Sequence, residues 1–172
     1  MTIVYAREAH LGADEYIDVV AKSGLNRPIE DRDRVERMLA HANLIVTARQ
    51  DGRLVGFARS LTDFCFCCYL SDLAVDKACQ GQGIGKRLIE ETRAAAGGPS
   101  TTTLLLSAPT AMSFYESFKM PGRQLLPLSA GAIMGNAVAG VRVLPRTAPR
   151  GPCRTIPPLP WSGSISTRPR SS

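Results

Sequence analysis

Apolar and polar residues alternate along this chain with periods that predict strands and helices in a mixed order. β-Branched and apolar runs predict strands at residues 2–6, 44–48 and 54–61. Between the first two strands, apolar residues three and four positions apart predict two helices. The two apolar stripes are Ala13, Tyr16, Ile17 and Val20, then Val35, Met38, Leu39 and Ala42. The Asp51-Gly52 pair predicts a tight antiparallel hairpin between the second and third strands.

A second group of predicted elements follows the hairpin. A strand that contains the cysteines is predicted to continue through residues 69–75 as a third antiparallel strand. A helix at 84–96 and a short apolar strand at 103–107 come next, and this order implies a parallel pair with a right-handed crossover. The sequence therefore predicts an α/β (α+β) fold: a mixed, mostly antiparallel twisted sheet with a central parallel pair, flanked by helices.

A glycine-rich stretch, Gln80-Gly81-Gln82-Gly83-Ile84-Gly85, joins the strand at 69–75 to the helix at 84–96. Glycines leave no Cβ atoms in the way, so consecutive N–H groups can converge on an anion at the positive end of the helix. A Walker A loop is excluded because three residues, not four, lie between Gly81 and Gly85, and Arg87 stands where Ser or Thr is needed. A dinucleotide loop is excluded because no third glycine follows in register. The pattern that fits is Gln-x-x-Gly-x-Gly after Leu-Ala-Val.

This stretch resembles the acetyl-CoA loop of the GNAT N-acetyltransferase superfamily. A second segment, Ala111-x-x-Phe114-Tyr115-Glu116 after Ser107-Ala108-Pro109, looks like the second signature of that family. The resemblance covers residues 1–118. It implies an acetyl-CoA-dependent N-acetyltransferase that transfers an acetyl group to the primary amine of a small molecule, by direct attack in a ternary complex. Acetyl-CoA is the implied co-substrate, and no metal is implied.

The resemblance also implies roles for individual residues. Tyr115 occupies the tyrosine position that protonates the CoA sulfur in many members; its alternative role is a core aromatic packed beside Phe114 and Phe118. The backbone of Leu73 and Val75 would pair with the pantetheine arm, between strands that splay apart to admit it. The backbone amides of Gln82, Gly83, Gly85 and Lys86 would hold the pyrophosphate, and Gln80 is implied to belong to the same cofactor-binding loop.

The general base is left open by the sequence. Tyr69 lies four residues before Leu73, where some relatives place a glutamate, and simple alternation puts it on one strand face with Ser71. Asp72 then lies on the opposite face, as a structural hydrogen-bond partner. Asp63 and an ordered water are the other candidates. The connection at 23–28 borders the acceptor pocket in the family, and it is either a specificity element or a plain connector.

The net charge of +6 suggests a nucleic-acid or anionic membrane partner, but its distribution removes that suggestion. Residues 1–116 carry 13 basic and 15 acidic side chains, whereas residues 117–172 carry eight basic and no acidic ones. The domain is therefore close to neutral. We expect a small-molecule amine as partner, with no nucleic acid and no membrane.

Cysteine usage predicts a reducing compartment. Cys65, Cys67 and Cys68 lie close together on the predicted strand, where alternation gives poor geometry for a shared metal or a local disulfide, so we expect buried thiols. His10 and His41 are not spaced from these cysteines in the way that metal ligands are. Acidic residues interrupt any apolar run near the N-terminus, so no signal peptide is predicted and a cytoplasmic location follows.

The family pattern stops near residue 118, where an expected Gly-Phe is missing. Residues 117–172 hold nine of the twelve prolines, and only residues 137–144 resemble a strand. We predict an acetyltransferase domain at 1–118, an atypical segment at 119–145, and a disordered basic tail at 146–172. The tail is either a divergent extension or an out-of-frame translation, and translating the other two frames of the coding DNA distinguishes them.

The missing C-terminal strands leave a second hypothesis for function. In the family these strands wall the acceptor site and often mediate dimerisation. Without them, the chain would be a truncated or frameshifted, catalytically silent domain that at most binds CoA. A homodimer is expected only if those strands are present.

Overall fold

The computed structural model describes residues 2–107 and the strand at 140–144. Within these residues, six strands form one sheet in chain order, with helices on both faces. The strands are β1 (Ile3–Glu8), β2 (Leu44–Gln50), β3 (Arg53–Thr62), β4 (Cys67–Val75), β5 (Thr102–Ser107) and β6 (Gly140–Leu144). The α-helices are α1 (Ala13–Ser23), α2 (Arg32–Ala40) and α3 (Ile84–Ala95), and short 3₁₀ turns lie at Lys77–Cys79 and Gly98–Ser100.

The sheet has the predicted mixed topology. Strands β1 to β4 form an antiparallel meander, β4 and β5 are parallel, and β6 is antiparallel to β5. Helix α3 provides the crossover between the parallel strands, which confirms the predicted fold class. Strand β6 lies within the predicted 137–144 segment. The segment that carries Tyr115 and the proposed domain boundaries at 118 and 145 lie outside the described residues.

The β2–β3 hairpin forms where the Asp51-Gly52 pair predicts it. Both turn residues have positive φ angles, 51° and 83°, and Gln50 pairs with Arg53 across the turn. Two consecutive positive φ angles define a type I′ turn, whose twist matches that of the flanking strands. Local sequence therefore determines this hairpin.

The core lies in two layers, one on each face of the sheet. On one face α3 packs on the central strands, through the buried side chains Ile84, Leu88, Ile89, Val46, Leu70 and Leu105. On the other face α1 and α2 pack on the sheet, through the buried side chains Tyr16, Val20, Val35, Leu39, Ile45 and Phe57. Tyr16 and Phe57 have ring centroids 4.8 Å apart, and both are fully buried. Apolar burial on both faces holds β4 in the centre of the sheet.

A β-bulge at Ser71 interrupts the alternation of side chains along β4. Arg59 pairs with Asp72 and Ser60 pairs with Leu70, so Ser71 has no cross-strand partner. Before the bulge, Leu70 faces α3, and after it Ala74 packs with α1 and α2. Tyr69 and Asp72 therefore share the α1/α2 face. The prediction that they lie on opposite faces is wrong, because one inserted residue reverses the alternation.

The predicted cysteine strand begins later than expected. Asp63 Oδ1 accepts hydrogen bonds from the backbone N–H groups of Cys65, Phe66 and Cys67, and these bonds hold residues 63–66 in a turn. Such side-chain bonds compete with strand pairing. Cys68 is buried as predicted, but Cys65 and Cys67 are exposed, so the prediction of buried thiols is wrong for both.

Candidate active site

The glycine loop leads directly into the N-terminus of α3. Gly81 and Gly83 have φ angles of 77° and 80°, in the left-handed region that favours glycine. A Cβ atom added at either position would meet no atom of the described chain within 4 Å. The two glycines are therefore required by backbone conformation rather than by packing against the described residues.

The backbone N–H groups of the loop find no acceptor among the described residues. The first amide bonded within the helix is that of Arg87, which donates to the Gly83 carbonyl at 3.0 Å. Within the described part of the chain, the amides of residues 81–86 have no hydrogen-bond acceptor. A row of free N–H groups at the positive end of a 12-residue helix is suited to bind an anion such as a pyrophosphate. The loop residues predicted to bind CoA thus fit that group.

The Gln80 side chain holds the loop against the rest of the fold. Its Nε2 donates to the Val75 carbonyl at 2.9 Å and to the Ser23 carbonyl at 3.2 Å. These bonds join the loop to the end of β4 and to the end of α1. Because its amide group contacts protein carbonyls, the geometry indicates that Gln80 positions the loop rather than contacting a ligand through its side chain.

Lys86 lies in the first turn of α3 with its side chain in solvent. The Lys86 side chain is 63% exposed, and its Nζ lies 4.0 Å from Glu90 Oε1, at the outer limit of an ion pair. A pair this exposed contributes little to stability. The ammonium group is therefore available to an anion at the loop.

Strands β4 and β5 pair only over part of their length. Their parallel register runs from Cys67 with Thr102 to Leu70 with Leu105. Beyond that point β4 continues to Val75 without a described partner on its β5 side. The described pairing therefore stops before the end of β4, as the predicted splay requires, and Leu73 and Val75 lie beyond it.

The structure describes one of the two predicted catalytic tyrosines, Tyr69. Tyr69 is half-buried on β4, opposite Leu61 of β3 and Leu104 of β5, within the paired part of the strand. It lies on the α1/α2 face, the face from which the 23–28 connection contacts β4. Tyr115 lies outside the described residues, and its catalytic role stays a prediction.

A charged network that sequence reasoning missed lies beside the open edge. Asp72 has a fully buried side chain and accepts hydrogen bonds from Arg59 Nε at 2.5 Å, Arg27 Nε at 2.6 Å and Tyr16 OH at 3.1 Å. The Arg59 side chain is 7% exposed and that of Arg27 is 28% exposed. Arg27 also donates to the Ser71 carbonyl at 2.8 Å, which ties the 23–28 connection to the bulge. Asp72 is thus a structural partner, as predicted.

Tyr16 stays a neutral donor in this network. Burial is the main cause that raises its pKa above the ordinary value, and the neighbouring Asp72 carboxylate raises it further. The sequence holds one signal for the network: Arg59 interrupts an otherwise apolar strand, which indicates a buried partner of opposite charge.

Asp63 is a poor candidate for the general base. Burial alone would raise its pKa, but hydrogen bonds from the backbone of Cys67, Cys65 and Phe66 outweigh it and lower the pKa to about 2. A carboxylate that weakly basic does not readily take a proton from an ammonium group. Its role is to hold the turn before β4.

No helix within residues 2–107 is long and apolar enough to span a membrane.

Comparison with known proteins identifies the family of this site. A family model described as "Acetyltransferase (GNAT) domain" matches residues 17–119. Serotonin N-acetyltransferase 2, chloroplastic, of Oryza sativa subsp. japonica is 30% identical over 104 residues, which cover 58% of this chain and 51% of the rice protein. The chain thus spans about half the length of the curated relative that it matches.

Two solved structures with a similar fold are named as N-acetyltransferases. The ribosomal-protein-S18-alanine N-acetyltransferase of Escherichia coli superposes with a TM-score of 0.67 at 16% identity, covering 86% of this chain and 96% of that one. The PaiA N-acetyltransferase of Thermoplasma acidophilum, in complex with coenzyme A, superposes with a TM-score of 0.61 at 15% identity, covering 83% and 99%. At these identities the likeness shows the fold alone. The family match over residues 17–119, more than half of the sequence, shows that the chain belongs to the GNAT acetyltransferase family.

Proposed function

We propose that this protein is an acetyl-CoA-dependent N-acetyltransferase that acetylates the primary amine of a small molecule in a ternary complex. The observation that carries the proposal is the row of amides at residues 81–86, at the N-terminus of α3, which have no acceptor among the described residues and lie beside a strand edge with no described partner. The family uses acetyl-CoA. The loop amides offer a site for the phosphates of acetyl-CoA, and the strand edge offers a site for its extended pantetheine arm.

Binding is divided between two backbone surfaces. The amides of Gln82, Gly83, Gly85 and Lys86 would hold the pyrophosphate, with the positive end of α3 behind them. The open edge of β4 at Leu73 and Val75 would hydrogen-bond the pantetheine arm as an added strand. Both surfaces are fixed before binding, since Gln80 joins the loop to Val75 and helices cover the sheet. Little ordering entropy remains to be lost on binding.

The chemistry needs a neutral amine, a polarised thioester carbonyl and a proton for the departing thiolate. A backbone N–H near Leu73 would polarise the carbonyl once the donor lies along β4. Tyr115 supplies the proton in this proposal. Tyr69, or a water held near it, removes the proton from the amine, since Asp63 is too weak a base and Asp72 is occupied by two arginines.

Two measurements test the proposal. Acetyl-CoA should raise the melting temperature of the full chain, and free thiol should then be released with a panel of primary amines. A shift without thiol release supports the alternative function, a silent domain that binds CoA. The absence of both the melting-temperature shift and the thiol release would exclude both functions.

Tyr115→Phe should lower kcat by roughly 10²-fold while the dissociation constant of acetyl-CoA stays nearly the same, because the phenol acts only on the leaving thiolate. Thiol-release kinetics at saturating amine measure the effect. Tyr5→Phe on β1 is the matched control and should retain full kcat. Full turnover by Tyr115→Phe would assign this tyrosine to the core instead.

Gln80→Ala should weaken acetyl-CoA binding by about tenfold, because two side-chain hydrogen bonds that position the loop are lost. Calorimetric titration measures the change. Gln82→Ala is the control, since Gln82 is proposed to bind through its backbone N–H alone, and its affinity should stay within about twofold of wild type. Equal effects of both variants would show that Gln80 does not position the loop.

A further inference from the structure

The charged network on β4 contains more positive than negative charge. Arg27 and Arg59 both contact Asp72, at 2.6 Å and 2.5 Å. Within the described part of the chain, neither guanidinium forms an ion pair with any other carboxylate. The other side chains that contact the network, Tyr16 from α1 and Ser71 from β4, are uncharged. Among the described residues, one positive charge is therefore left over in a largely buried place.

The excess charge is accessible and has hydrogen-bond donors to offer. Arg27 uses Nε on Asp72, one N–H of Nη1 on the Asn26 carbonyl, and one N–H of Nη2 on the Ser71 carbonyl. The second N–H on each Nη atom has no acceptor among the described residues, and 28% of the Arg27 side chain is exposed. A guanidinium with two free N–H groups matches the geometry of a carboxylate.

The network lies close enough to the proposed reaction centre for one small molecule to span the two. Ser71 precedes Leu73 by two residues, which along a strand is about 7 Å. The β4 edge from Ser71 to Val75 is the one that lacks a described partner on its β5 side. An anionic group held by Arg27 would therefore leave an amine of the same molecule within reach of a thioester lying along that edge.

We propose that Arg27, supported by Arg59, binds a carboxylate of the acceptor, so that the substrate is an amino acid rather than its decarboxylated amine or a polyamine. This inference rests on the proposed acetyl transfer and names its substrate class. A bound carboxylate neutralises the excess charge beside Asp72. A polyamine, which brings further positive charge to the same place, is disfavoured.

Matched pairs of amines test the inference. Tyrosine is compared with tyramine, and 5-hydroxytryptophan with serotonin, by thiol release. Wild type should favour each amino acid over its amine by at least about tenfold in kcat/KM, and Arg27→Gln should bring that ratio close to one. Arg53→Gln, which removes another arginine paired with an aspartate, should keep the wild-type ratio. Equal use of both members of each pair by wild type, or an unchanged ratio in Arg27→Gln, overturns the inference.

A binding measurement decides the case where turnover is absent. With CoA present, calorimetry should show tyrosine binding more tightly than tyramine to wild type, and Arg27→Gln should lose that difference. Binding of tyramine as tight as that of tyrosine overturns the inference even if acetyl-CoA stabilises the chain. Absence of any acetyl-CoA effect instead refutes the proposed function, so the two failures are distinguishable.

Discussion

Gly83→Val should abolish measurable stabilisation by acetyl-CoA while leaving a folded protein. Gly83 has a φ angle of 80°, which a β-branched residue avoids, so the loop would turn to another conformation and move its amides. Loss of two amide–phosphate hydrogen bonds corresponds to about 3–6 kcal/mol, or roughly 10²- to 10⁴-fold in the dissociation constant. Calorimetric titration with acetyl-CoA measures the loss directly.

Gly52→Val is the matched control for that variant. Gly52 has a φ angle of 83°, and an added Cβ would also meet no atom of the described residues within 4 Å, but Gly52 lies in the β2–β3 hairpin. Both variants should lose a similar free energy of unfolding, about 1–2 kcal/mol, from the left-handed backbone. Only Gly83→Val should lose the ligand. Binding of acetyl-CoA by Gly83→Val with wild-type affinity would refute the role of the loop.

Asp72→Ala should lower the free energy of unfolding by about 3–5 kcal/mol. The carboxylate is fully buried, and its removal leaves Arg59, with a 7% exposed side chain, without an opposite charge inside the sheet. Arg27 would also lose its ion pair with Asp72, which is one of its contacts with β4. Urea unfolding followed by circular dichroism measures the change.

Asp18→Ala provides the comparison for a surface pair. Asp18 and Lys22 also form a close ion pair, with N–O distance 2.5 Å, but their side chains are 49% and 43% exposed. Solvent screens this pair, so its loss should cost less than about 1 kcal/mol. If Asp72→Ala costs no more than Asp18→Ala, the network does not stabilise the fold.

Local features of the chain were predictable because their causes are local. The glycine loop needs positive φ angles at Gly81 and Gly83, and the hairpin needs them at Asp51 and Gly52, so the residue types reveal both conformations. The order of strands and helices followed from periodicity, and the parallel β4–β5 pair followed from the crossover. These features were enough to predict the fold and the family.

The bulge at Ser71 could not be predicted, because an inserted residue carries no distinctive sequence. It reversed the faces assigned to Tyr69 and Asp72, and it placed Asp72 opposite Arg59. The turn at residues 63–66 was also missed, since Asp63 competes with strand pairing only when its carboxylate reaches three particular amides.

The sequence by itself determined the loop that fits CoA, the hairpin and the mixed sheet, because each depends on backbone preferences or on periodicity within a short segment. The tertiary structure decided the electrostatics around Asp72. Arg27, Arg59 and Tyr16 are 45, 13 and 56 residues from Asp72, and packing of α1, the 23–28 connection and β3 against β4 brings them to one carboxylate. Contacts over such separations arise only once the sheet and helices have packed, and no local pattern encodes the positive charge left over there.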